Sequence, residues 1–153
     1  RLILCDNIKR GSINLDGVYS LMRQRNPDVL VLDGIYLMMG DISWENMQNV
    51  FAGLKNYCNS KKIICIVSNQ ANRGAADYYT PPRPEHVAFG DAMLQSSDMT
   101  LSIAKVTDDE KKRQVQIQKC RDEELITSRM ILDWDVNYGV IKENNEQAMS
   151  EEF

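Results

Sequence analysis

The chain has 153 residues, 43% of them hydrophobic and 26% charged, with a formal net charge of −4. That length suffices for one domain with a sizeable core, and no apolar run approaches the roughly 18 residues needed to cross a bilayer. The acidic balance excludes a uniformly basic nucleic-acid binder while leaving room for a local basic patch.

The opening residues, RLILCDN, are too short and too soon interrupted for a signal peptide. A chain that opens on Arg1 reads as a fragment or a processed piece. RLILC itself reads as a short buried strand. SINLDGVYSLMRQRN reads as a helix, with Ser12 as N-cap and Pro27 as the stop. VLVL, residues 29–32, is a strand without alternation, as expected where both faces are covered. SWENMQNVFAGLKNYCNSK is the clearest helix: Ser43 caps it, and Trp44, Met47, Val50, Phe51, Leu54 and Cys58 recur at intervals of three and four. KIICIVSNQ is a second unalternating strand that ends in polar residues. Strands of this kind separated by helices predict parallel, right-handed crossovers.

Residues 71–89, with three prolines and no period, read as a long functional and mobile loop. GDAMLQSSD predicts a short helix, and MTLSIAK, RQVQIQK, RMILDWD and YGVIKE predict short strands, with TDDEKK as a hairpin turn. In RQVQIQK the alternation puts Val115 and Ile117 inward and Gln114, Gln116 and Gln118 outward. The fold expected is α/β, a parallel sheet with an antiparallel strand extension at one edge. The four cysteines, Cys5, Cys58, Cys65 and Cys120, form no CxxC pair, and no His-x-x-x-His accompanies them. That pattern speaks for reduced thiols rather than a zinc site.

Ligands of open parallel sheets bind beyond the carboxyl ends of the strands. Asp33 follows VLVL, and Ser68, Asn69 and Gln70 follow IICIV. An apolar strand ending in Asp is the Walker B arrangement, whose carboxylate holds Mg²⁺ through water against nucleotide phosphates. The same residue also fits an acidic turn or cap. Gln70 fits a sensor of the γ-phosphate or a turn residue. Lys119 and Arg121, separated by one residue at a strand end, suit a phosphate or a solvated edge. His86, the single histidine, carries no assigned role.

Together these stretches resemble the motor of DnaB-type replicative helicases. VLVLDGIYLM is similar to that family's LIVIDYLQLM, SNQANRG to its SQLNRG, and PRP at residues 82–84 to its KRP. FGDAMLQSSDMTLSI resembles GAIEQDADVVLFL, with Gln95 and Asp98 in register, and QKCR resembles the family's KxR motif. The resemblance covers residues 1–143, which read as a partial RecA-like ATPase domain; residues 144–153 read as an acidic flexible tail. It implies an ATP- and Mg²⁺-dependent DNA helicase working as a homohexamer on single-stranded DNA, with a primase or helicase loader as candidate partner and no membrane. Asp33 would hold the metal through water, and Gln70 would sense the γ-phosphate. Lys119 and Arg121 would act on a neighbouring subunit's nucleotide. Arg73, Arg83, Gly90 and Gln95 would serve the DNA loop. Val87 to Gly90 carry no cation where the family's loop has an arginine. Phage and mitochondrial relatives fit too, so the implied compartment is a bacterial or phage-infected cytoplasm, or mitochondria for a Twinkle-like relative. No GxxxxGK[ST] occurs in the chain, so the sheet is expected to lack the P-loop unit and to be inactive alone. A recombinase-like RecA-fold ATPase and a non-hydrolysing RecA-fold scaffold are the alternatives.

Overall fold

The computed structural model describes residues 3–4, 14–35, 44–71, 79–87, 90–107, 111–121 and 129–144. The chain divides into two compact units, residues 1–70 and 71–153.

In the first unit, helix α1 (Leu15–Arg25) precedes strand β1 (Val29–Leu32), and helix α2 (Trp44–Lys61) precedes strand β2 (Ile64–Val67). Asn14, rather than Ser12, caps α1: its side-chain carbonyl accepts the Gly17 N–H at 2.9 Å, the reach an Asn at this position has to the third helical residue. Ser12 and Ser43 lie outside the described residues. Asn26 closes α1 in the left-handed region, its N–H on the Met22 carbonyl at 2.8 Å, and Pro27 bars continuation. Of the predicted apolar stripe in α2, Met47, Phe51, Leu54 and Cys58 are buried and Val50 is half-buried. Lys62, also left-handed, ends α2 as Ile63 N–H reaches back to the Cys58 carbonyl at 2.9 Å. Tyr19 and Tyr57 stack with ring centroids 4.9 Å apart and tie α1 to α2.

β1 and β2 pair in parallel, with Val29 opposite Ile64 and Leu32 opposite Val67. The expectation that both faces of these strands are covered does not hold. Val29, Val31, Ile64 and Ile66 share one face and are 46% to 63% exposed. The helix α2 packs on β2 from the other side, where Cys65 meets Cys58, and a strand buried on both faces needs a layer on each. Ile3 and Leu4 belong to no strand and are exposed, so the strand expected from RLILC is not present there.

In the second unit, Pro84–His86 make one 3-10 turn, followed by helix α3 (Gly90–Ser96) and strands β3 (Met99–Lys105), β4 (Lys112–Cys120), β5 (Met130–Asp135) and β6 (Val140–Glu143). The four strands form an antiparallel sheet in chain order. The loop predicted over 71–89 is therefore interrupted by local structure: Ala71 bridges Val87, and His86 Nδ1 accepts the Arg83 N–H at 3.3 Å to close the turn. Residues 72–78, the middle of the TDDEKK turn and residues 145–153 of the predicted tail lie outside the described residues. Asn144 is tied to β5, its N–H donating to the Ile131 carbonyl at 2.8 Å.

The predicted facing of β4 fails at Gln114, while Val115, Gln116, Ile117 and Gln118 are all half-buried. Gln114 is 5% exposed, while Leu101 and Ile103, the cross-strand partners of Ile117 and Val115, are 53% and 51% exposed. A glutamine is stable in the interior when its amide is satisfied. Gln114 donates to the carbonyls of Tyr79 and Lys105 and accepts from Arg129 at 3.4 Å, and Gln118 donates to Ser102 Oγ at 2.7 Å. Alternation gives the period of a strand but not which of its faces is covered.

Candidate functional site

Leu32 and Val67 are the last paired residues of β1 and β2, so the residues that follow them, Asp33 and Ser68, meet at the carboxyl end of the parallel pair. The backbone holds both: Ser68 N–H donates to the Leu32 carbonyl at 3.0 Å and Ile35 N–H to the Ser68 carbonyl at 3.1 Å. The Ser68 hydroxyl then donates to Asp33 Oδ1. Asp33 is exposed. A carboxylate offers about four acceptor positions, so this bond orients Asp33 and leaves most of its capacity for another ligand. One oriented carboxylate with an adjacent hydroxyl is a hard-oxygen donor set of the kind that holds Mg²⁺ through its water shell. Among the described residues no cluster of three His, Cys, Asp or Glu exists to enclose a metal directly. Gln70 is exposed just past β2, and its N–H donates to Asn69 Oδ1 at 3.0 Å.

In the second unit the structure brings Lys119 and Arg121 to the carbonyl end of α3. A bulge lies between Thr100 and Leu101: Leu101 pairs with Ile117, but Thr100 pairs with Lys119, leaving Gln118 over. An extra residue reverses the facing of everything beyond it. Lys119 therefore leaves the face of Val115 and Ile117, where alternation would have put it, and joins that of Ser102 and Gln116. There its ammonium donates to the Leu94 carbonyl. Arg121 pairs with Asp98 at 3.0 Å and donates to the Gln95 carbonyl at 3.4 Å. β4 runs on through Lys119 to Cys120, and Arg121, just past its end, meets the carboxylate of Asp98.

Of the residues assigned to the DNA loop, Arg73 lies outside the described residues. Arg83 is exposed, 4.0 Å from Glu85, and Gln95 is exposed at the end of α3. Gly90 is buried and its N–H donates to the Val87 carbonyl at 2.9 Å. Sequence reasoning gave no role to Ser68 or Asp98. Ser68 carries the same signal as Asp33, a first polar residue after an apolar strand, on the neighbouring strand. Asp98 stands directly before the strand that pairs with the one carrying Lys119.

A helix-connected parallel strand pair ending in a carboxylate and a hydroxyl, and a four-stranded antiparallel sheet, make a mixed α/β fold. No protein-family model matches the sequence, and no curated protein does. Solved structures match the fold. The ATPase domain of G40P superposes with a TM-score of 0.69 at 16% identity over 84% of this chain and 50% of its own. A DnaB-like replicative helicase, described with its interactions with primase, gives the same score and identity over 84% of this chain and 34% of its own. The chain thus has the fold of DnaB-like helicase ATPase domains and spans half or less of the length of these two structures.

Proposed function

We propose that this chain is part of an ATP-driven, DnaB-like DNA helicase motor. The observation that carries this reading is the Asp33–Ser68 pair at the strand ends of this fold. Ser68 fixes one carboxylate oxygen of Asp33, so Asp33 would hold a hydrated Mg²⁺ through its remaining acceptor positions without a search for orientation. Mg²⁺, when bound with ATP, neutralises the β- and γ-phosphate oxygens. Gln70 lies past the adjacent strand end, where its amide reads the γ-phosphate. Lys119 and Arg121 serve the nucleotide of a neighbouring subunit in a homohexamer. The segment containing Arg73, Arg83 and Gln95 runs along single-stranded DNA, with Gly90 shaping its turn. A primase or a loader is the class of protein partner that this reading expects. The phosphate-cradling loop that such a motor requires has no counterpart in the 153 residues.

The test is steady-state hydrolysis by the full-length assembled protein. Asp33→Asn should lower kcat by about 10²–10³-fold, the scale of losing one preorganised electrostatic group. Ser68→Ala, which removes only the orienting bond, should lower it by about 10- to 100-fold. The isolated chain should show no magnesium-dependent turnover. Unchanged hydrolysis by Asp33→Asn, or turnover by the isolated chain that this substitution abolishes, overturns the proposal.

A further inference from the structure

We propose that Asp98, together with the carbonyl end of α3, is the device that positions Arg121; this rests on the reading of Arg121 as a cation acting on nucleotide phosphate. Three observations converge. First, the backbones are locked together: Met99 pairs with Cys120, and Arg121 N–H donates to the Asp98 carbonyl at 2.9 Å. Second, the guanidinium is held from two sides, by Asp98 Oδ1 at 3.0 Å and by the Gln95 carbonyl at 3.4 Å, while Lys119 takes the Leu94 carbonyl one residue earlier. Both cations thus dock on the negative end of the same helix. Third, the opposite end of that helix is fixed, because Gly90 packs directly on the Pro84 carbonyl.

The pair is a poor candidate for a stability element. The Arg121 and Asp98 side chains are 44% and 61% exposed, and exposed pairs of this kind add little to folding. What the arrangement provides is direction. A guanidinium has five donors in a rigid fork. Two engaged donors set the plane, and the rest remain for a phosphate. Without Asp98 the side chain would sample its rotamers, and a misplacement of about 1 Å in such a group costs on the order of 10²-fold in rate. Asp98 touches no reacting atom; it acts through Arg121.

The experiment is a double-mutant cycle in the full-length assembled ATPase. Asp98→Ala should lower kcat by about 10- to 100-fold, with KM for ATP changed by less than about twofold and the unfolding midpoint unmoved. Asp98→Glu should recover part of the loss. Arg121→Ala should lower kcat by about 10³-fold or more, and adding Asp98→Ala to it should cost nothing further, because the positioned group is already gone. Should Arg121→Ala hydrolyse ATP at the wild-type rate, the reading of Arg121 falls and this proposal with it. Should Arg121→Ala be inactive while Asp98→Ala keeps wild-type kcat, or should the two losses simply add, the positioning role alone is refuted.

Discussion

Gly90 offers a sharp test of how the turn before α3 is built. A Cβ placed on it would lie 2.0 Å from the Pro84 carbonyl oxygen, 2.9 Å from its carbon and 3.3 Å from its Cα. The obstacle is backbone, and that backbone is committed: the Pro84 carbonyl accepts the Val87 N–H at 3.0 Å, and the proline ring holds φ. To restore the 3.0 Å that is the floor for real contacts, the turn and helix must separate by about 1 Å. Gly90→Ala gains up to about 1 kcal/mol of helix propensity. Against it stands an overpacking cost at the upper end of the usual range of about 1–3 kcal/mol, since no side chain can rotate away. The net expectation is a destabilisation of about 1–2 kcal/mol. Urea unfolding followed by circular dichroism measures it, and faster hydrogen exchange at the Val87 amide locates it. Gly139 provides the control. It has φ +64°, and a Cβ added there would meet nothing within 4 Å, so its constraint is conformational. Asn, which tolerates the left-handed region, should therefore be nearly neutral at Gly139 and as damaging as Ala at Gly90. A Gly90→Ala variant within about 0.5 kcal/mol of the parent would falsify the account of the turn.

Three further outcomes follow from the first unit. Burial pushes the Cys65 thiol up to about 12 and raises that of Cys58. Cys65 should therefore resist iodoacetamide in the folded chain at neutral pH and label readily in denaturant, which mass spectrometry reads directly. A thiol whose folded value lies above its unfolded value of 9.0 contributes stability that is whole below about pH 9 and is lost as the pH rises toward 12; a stability that rose with pH across that window would contradict the burial of Cys65. The row of Val29, Val31, Ile64 and Ile66 should bind an apolar dye such as ANS. The pair Val31→Thr with Ile66→Thr, which keeps β-branched side chains, should reduce that fluorescence severalfold without changing the far-ultraviolet spectrum; unaltered dye binding would mean that the row is not the exposed surface.

Much of this protein is written in its local sequence. The spacing of Met47, Phe51, Leu54 and Cys58 determined α2, because a helix brings residues three and four apart onto one face. Two unalternating strands separated by that helix determined the parallel pair, and an acid directly after VLVL marked its carboxyl end. Those signals depend on neighbours within a few residues, and a sequence displays neighbours openly. Where a covering layer is found is a different matter. Val31 and Leu32 are equally apolar, yet one is exposed and the other buried, because α2 lies on only one side. Gln114 looks like an outward residue until the carbonyls of Tyr79 and Lys105 converge on its amide. The candidate site divides along the same line. Asp33 was legible as a chemical type, but its orientation comes from Ser68, which only strand register brings beside it. Lys119 and Arg121 were legible as a pair of cations, but one extra residue in β4 decides which face Lys119 takes. Asp98 reaches Arg121 only because β3 and β4 pair. Pairing register and bulge position are settled by hydrogen bonds between distant segments, and no local pattern carries that information.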